Sequence, residues 1–530
     1  LGHTGLSGEV TAAISNTLLE DVVLVSDTMH TPKVQAYGEF SVDVGFKDPK
    51  APTVSLAQGS PYVFVQNPHQ TSLKLTFGDD AIIENLGDAR FKVVHVAGGD
   101  RRYLVASTKA LAKTSQEAKS VDLSGHSFSI AALPAKKQFE VDAKFMEHAF
   151  NRITHSSTQF SEGKTTFNVT TQHLETGMRG GDTLLCVYPH QASELIDSRK
   201  PLDEVFFPSI RGDMQVLEGS GFKTYHKTPQ ALPYFPGKGL SEAQKKTLTD
   251  LLDAEVKRYQ QRIAEGKPPL TDAQDTYWVG KALHVISEQV HIAESLGNEE
   301  AKSALLDFSK MTLEAWFKGE GTQKFVYNPK WGVVLGVPAS FGTDKELNDL
   351  HFHLGYFIEA AATVRMYDQS WGARWERQVD PLVHSLINYD ASPYFMQTPH
   401  RVFRPYAGFS QASGHASFSD GGNHESSSEA MNAWSGMLLW ANLSHNPALR
   451  QRASQAFVTE AEAIWAYYFY HDPNQPAFVN IHPAYGKPVV GMVWDNKVDF
   501  ATWFSASHEH ILGIQLLPMS ARSLYLARYP

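Results

Sequence analysis

Two stretches of this 530-residue chain place ionisable side chains at spacings suited to acid–base chemistry. In ELNDLHFHLGYFIEAAA, residues 346–362, Asp349, His351 and His353 stand close together, and in GGNHESSSEAMNAW, residues 421–434, Glu425 and Glu429 lie four apart. A helix puts i and i+4 on one face and sends i+2 elsewhere. Asp349 and His353 are therefore expected to share a face with His351 pointing away. No compact third ligand favours a metal reading of these three, and His508 and His510 in SHEHI read as capping or surface histidines. A carboxyl in a dry cleft has a raised pKa, which suits a general acid, and a hydrogen-bonding neighbour such as His353 would tune it. Glu425 and Glu429 are expected on one helical face, where like charges cost a few tenths of a kcal/mol. The serines between them are mediocre helix formers, so propensity does not explain the stretch. It runs into Ala430, Met431, Ala433, Trp434, Met437, Leu438 and Trp440, a mostly buried helix whose acidic end would face a cleft. Two carboxyl groups in opposite protonation states are the machinery of glycoside hydrolysis.

The elements that would position these groups change along the chain. Up to about residue 185, short β-branched and aromatic runs such as YVFVQ, SLKLTF and FKVVHVAG alternate and are cut by Gly, Asp, Asn and Pro, the pattern of a β-sandwich. Residues 186–240 are irregular and read as a small α/β domain with a linker. Ser241 then opens a helix through a capping box with Gln244. Further helices are expected at 275–297, 299–317, 348–366, 371–388, 425–444, 447–471 and 506–528, joined by long loops. The fold class is therefore α+β and multidomain: 1–185, 186–240 and a helical domain over 241–530.

Composition excludes several functions. Charged residues are 20% and hydrophobic ones 42%, an ordinary globular balance, and the formal charge of −10 argues against a nucleic-acid partner. No run of 18 apolar residues is present, so no helical membrane span is expected. Cys186 is the only cysteine and can form neither an internal disulfide nor a zinc cluster. The chain opens on Leu1 rather than Met, which reads as a trimmed chain and hints at secretion. Aromatic residues total 11%, and several stand beside polar residues in loops, where sugar rings could stack.

ELNDLHFHLGYFIEAAA, NHESSSEAMNAW, DTYWVGKAL (275–283), WGVVLGVPASFGTDKELND (331–349) and GIQLLP (513–518), in this order over about 275–518, resemble glycoside hydrolase family 81. The resemblance implies an inverting endo-β-1,3-glucanase acting on laminarin- or curdlan-type glucans, without metal or organic cofactor. It also implies an N-terminal β-sandwich, a small α/β domain and a C-terminal (α/α)6 barrel. Asp349 would be the general acid, Glu425 the general base, and Glu429 its support. His353, Tyr356, Asp275, Tyr277 and Lys281 would contact or orient the sugar chain. So would Trp331, Tyr406, Asn423 and Trp503. Between the acidic motifs the sequence departs from the family pattern at Arg404, Phe409, Gln411 and His424. These are expected on a loop lining the cleft, where they would alter specificity. A non-catalytic glucan-binding protein and a polysaccharide lyase, with Arg401, Arg404 and Tyr406 around a carboxylate, are the rivals. A secreted monomer is expected.

Overall fold

Single-residue alternation builds the first of two units, Asn16–Tyr225. The computed structural model describes residues 13–527 except 16–20, 30, 87, 112, 135–138, 198–199, 228–230, 397, 416, 470–484 and 488. Eight strands form one antiparallel sheet in the order Pro32–Tyr37, Ser41–Phe46, Thr53–Ala57, Tyr62–Gln66, Phe128–Leu133, Arg101–Ser107, Phe91–Val96 and Ile82–Asn85. Adjacent residues of its central strands serve opposite cores. Phe64, Val93 and Leu104 face one, and Val65, Val94 and Val105 face the other. A slip of one residue would exchange the two sets, so the register is strongly specified. A second antiparallel sheet, Thr114–Ser115, Ser120–Asp122, Lys74–Phe77 and Val22–Val25, contributes Leu75, Phe77 and Val121 to the second core.

The first core is covered by helix α1 (Phe139–His148) and by the sheet Thr183–Val187, Gly212–Gly219 and Phe206–Ser209, with the single turn α2 (Pro189–Ala192) beside it. Leu184, Cys186, Val205 and Val216 lie in that core. The expected separate domain over 186–240 is thus divided: up to Tyr225 it shares the β unit's core, and from His226 it belongs to the helical unit. Burial pushes the Cys186 thiol up to about 12, as suits an inert side chain.

The helical unit begins as its caps dictate. In α3 (Glu242–Ala264) Ser241 Oγ accepts the Gln244 N–H and Gln244 Oε1 accepts the Ser241 N–H. Asp275 caps α4 (Thr276–Leu296) and Asn298 caps α5 (Glu299–Lys318), and each ends on a left-handed glycine, Gly297 or Gly319. There follow α6 (Thr343–Glu346), α7 (Leu350–Tyr367), α8 (Gln369–Leu386), α9 (Ser427–Leu443), α10 (Pro447–Tyr467) and α11 (His508–Leu516). The helix expected at 447–471 ends at Tyr467, and residues 470–471 lie outside the described residues. The one expected at 506–528 divides into α11 and a 3-10 segment, Ala521–Ala527. Pro518 offers no N–H and biases Leu517 towards the extended conformation it adopts. A hairpin, Lys324–Asn328 with Val333–Val337, and the short ladder Asn423–His424, Met492–Trp494 and Lys497–Asp499 lie among the helices, where sequence periodicity gave no strand.

Three helices run parallel at the centre. Thr276 meets His353, Gly280 meets Tyr356 and His291 meets Thr363, so α4 and α7 advance together. Gly355 meets Ala433 and Glu359 meets Gly436, so α9 advances with them. A Cβ on Gly355 would lie 2.9 Å from Ala433 Cα, and one on Gly436 3.0 Å from Glu359 Cα. Only glycine allows that approach. Helix α7 is buried from Leu350 to Arg365, its ionisable His351, His353, Glu359 and Arg365 included. Parallel packing brings the three N-termini to the same end.

Candidate active site

That end opens on a cavity of about 690 Å³. Helix α4 supplies Tyr277, Trp278 and Lys281, the entry to α7 supplies Asp349, the passage into α9 supplies Asn423, Glu425 and Glu429, and the loop before α11 supplies Trp503 and Phe504.

Asp349 sits at the N-cap of α7 with φ 55° and ψ 20°, in the left-handed region that Asp tolerates better than most residues. An Asp at this position ordinarily turns its carboxylate onto its own helix. Here the carboxylate makes no cap bond, and the Asp349 carbonyl accepts the Phe352 and His353 N–H groups at 2.9 and 3.1 Å. The carboxylate faces the cavity instead, with Oδ2 accepting from Asn348 Nδ2 at 3.0 Å. Its backbone is pinned by the Asp349 N–H donating to Ala412 O at 2.8 Å. Burial, then the charges of Glu425 and Glu429, hold its pKa well above the usual carboxylate range.

Glu425 lies between the strand Asn423–His424 and Ser426, the N-cap of α9. It is not helical, so the two glutamates are a strand end and a first helical turn rather than one helical face. Glu425 Oε1 accepts the Trp503 backbone N–H at 2.5 Å, and Gln515 Nε2 donates to its carbonyl. Burial pushes its pKa up to about 7; the Trp503 N–H opposes the rise, and the charge of Glu429 adds to it. Glu429 is 3% exposed and accepts from the Tyr356 hydroxyl at 2.6 Å, with Lys281 Nζ 3.9 Å away. The cavity thus holds a carboxyl whose pKa is raised well above the usual carboxylate range, a second raised to about 7, and a third fixed by a tyrosine and a lysine. Aromatic faces complete the wall. Trp278, Phe341 and Phe504 are about half exposed, and Phe418 packs 5.8 Å from Trp503. Such a site can deliver a proton from one carboxyl and take one from water with another, beside surfaces suited to sugar rings.

The profile of the glycosyl hydrolase family 81 C-terminal domain matches residues 239–529, more than half of the sequence. The chain belongs to glycosyl hydrolase family 81. A family 81 glycoside hydrolase from Clostridium thermocellum, solved as a mutant, superposes with a TM-score of 0.86 at 29% identity, covering 98% of this chain and 72% of that one. The match takes in both the N-terminal β-rich region and the helical C-terminal region. Among curated relatives, a glucan endo-1,3-beta-D-glucosidase of Acetivibrio thermocellus is 36% identical over 76% of this chain and 51% of its own length. One of Thermobifida fusca is 33% identical over 96% of this chain and 66% of its own length. The chain therefore spans about half to two thirds of these relatives.

Of the contacts expected from family 81 resemblance, Tyr277, Lys281, Asn423 and Trp503 line the cavity with the three carboxyl groups. The others act behind it or elsewhere. His353 does not pair with Asp349, because Asp349 precedes the first helical turn. His353 Nδ1 lies 2.7 Å from Thr276 Oγ1, tying α7 to α4, and burial pushes its pKa down to about 4. His351 is buried against Trp434 and His424, with ring centroids 5.8 and 6.0 Å away. Tyr356 does not line the cavity but touches two residues that do, Glu429 through its hydroxyl and Tyr277 through its ring, and Asp275 is spent on the α4 cap and on Ser340 Oγ at 2.8 Å. Trp331 sits at the hairpin turn with its carbonyl held by Arg401, and Tyr406 is wholly buried. The departures expected along the cleft lie off its wall as well. Arg404 and Gln411 both donate to Asp495, which accepts the Gly422 N–H, and Phe409 is in the core. His424 is buried beside Glu460. The cavity adds residues that the sequence reading missed: Phe341, Glu346 and Asn348 just before Asp349, and His415 and Phe418 just before Glu425. Their nearness in sequence to the two acidic motifs was the available signal.

Proposed function

We propose that this protein hydrolyses internal β-1,3-glucosidic bonds of β-glucans with inversion, Asp349 acting as general acid and Glu425 as general base. The observation that carries the reading is the set of carboxyl groups on one cavity, with burial and mutual charge raising Asp349 well above the usual carboxylate range and Glu425 to about 7. The substrate class follows from the curated relatives' names. Asp349 protonates the glycosidic oxygen while Glu425 takes a proton from water attacking the opposite face of the anomeric carbon. The bond to the leaving sugar breaks as the bond to water forms, and the two carboxyls exchange protonation states. Such a pair stands roughly 6.5–9.5 Å apart to admit that water. Glu429, fixed by Tyr356 and Lys281, holds a negative charge beside the base and raises its affinity for the water's proton.

The same reading includes a sandwich and an (α/α)6 barrel. Two sheets sharing one core support the first; parallel inner helices α4, α7 and α9, alternating with α5, α8 and α10, support the second. A secreted monomer is part of the proposal, since a glucan polymer is met outside the cell. Proton NMR of a linear β-1,3-glucan in the first minutes of reaction tests it. Initial α-anomer with oligosaccharides of many lengths is expected. Initial β-anomer would overturn inversion, and no new reducing ends would overturn the activity.

A further inference from the structure

The cavity wall beside Asp349 carries a second polar pair that the acid–base chemistry does not use. His415 Nε2 lies 3.2 Å from Glu346 Oε2, with 30% and 56% of the two side chains exposed. The Ser417 N–H donates to His415 Nδ1 at 3.2 Å, and Ser417 Oγ is 2.6 Å from the same nitrogen. An N–H directed at Nδ1 places the ring proton on Nε2, so the neutral imidazole donates to the Glu346 carboxylate. The two residues come from different segments, Glu346 from the end of α6 and His415 from the stretch leading to Glu425. Gly414 brings them together, since a Cβ there would lie 1.5 Å from the Glu346 carbonyl oxygen. So exposed a pair adds little to stability. Its surroundings suit a ligand better: the Phe418 ring is 5.0 Å from the His415 ring, and Phe418 and Phe341, both exposed, line the same cavity.

We propose that Glu346 and His415 form a specificity-determining pair that grips one glucosyl unit of the substrate chain. A carboxylate offers about four acceptor positions, so after taking one hydrogen bond from His415 Glu346 can still accept from neighbouring ring hydroxyls. His415 fixes the orientation of that carboxylate, and the exposed phenylalanine faces take the sugar's C–H surface. The inference rests on the glucan-hydrolase reading above.

The test compares wild type with Glu346→Gln, His415→Ala and His415→Gln. Steady-state kinetics on linear β-1,3-glucan and calorimetric binding of a β-1,3-linked glucose pentasaccharide are measured together. Loss of one hydrogen bond to a charged group predicts KM and Kd raised about tenfold in Glu346→Gln and His415→Ala, with kcat within about threefold of wild type. His415→Gln, whose amide N–H can still donate to Glu346, should regain most of the affinity, which a merely structural role would not explain. Unchanged KM and Kd overturn the pair's role, as does a fall in kcat alone. If wild type binds the pentasaccharide without cutting the polymer, the hydrolase reading fails while the Kd values decide the pair. If it neither binds nor cuts, both fall.

Discussion

The acidic limb of the pH–rate profile is the sharpest consequence of the cavity's electrostatics. A general base works only when ionised, so activity must fall as pH drops through its pKa. Ordinary glutamates titrate near 4.5, whereas burial and the neighbouring charge of Glu429 bring Glu425 to about 7 against the opposing Trp503 N–H. At pH 5, two units below that value, about 1% of Glu425 would be ionised, and kcat/KM should be about a hundredfold below its plateau. A base with an ordinary pKa would lose only about a quarter of its activity there. Initial rates of reducing-end release from a linear β-1,3-glucan, taken below KM between pH 4 and 9, separate the two cases. Glu429→Gln supplies a second arm: removing that charge lowers the Glu425 pKa, so the limb should move to more acidic pH. A wild-type limb centred near 4.5, or one that Glu429→Gln leaves in place, would refute the electrostatic argument even if the enzyme were active.

Asp349→Asn removes the proton donor without changing size, so turnover should be lost while calorimetry still detects oligosaccharide binding; appreciable residual hydrolysis would reassign the acid. Glu425→Gln should stabilise the fold at pH 8. Its raised pKa means the folded state holds its proton more tightly than the unfolded chain, so stability declines as pH rises from about 4.5 to about 7 and stays reduced above that. From 4.5 to about 7, at 1.36 kcal/mol per unit, the relief is about 3 kcal/mol, and it should vanish by pH 4 in denaturant titrations. Gly355→Ala pushes a methyl against the Ala433 backbone, so α7 and α9 must part at a cost of about 1–3 kcal/mol, read as a lower unfolding midpoint.

The sequence by itself determined the change from strands to helices along the chain, most of the helices and the acidic motifs. Alternation marked strands of the first unit, the Ser241–Gln244 box fixed the start of α3, and the apolar run from Ala430 to Trp440 required a buried helix, because these signals depend on neighbours in the chain. Glu425 and Glu429 were legible as two acids leading into an apolar, mostly buried helix, whose acidic end would face a cleft. Only the tertiary structure decided which residues face that cleft. The left-handed backbone at Asp349 keeps its carboxylate from pairing with the His353 side chain, although the backbone i, i+4 bond remains, and that conformation is pinned by contacts such as the Asp349 N–H to Ala412, 63 positions away. Tyr356, Tyr406 and Trp503 are equally plausible sugar platforms in sequence. The first is turned onto Glu429, the second is sealed in the core and the third reaches the cavity. Helical spacing says which side chains share a face. It does not say what that face meets, and here the answer comes from three parallel helices brought into register by Gly280, Gly355 and Gly436.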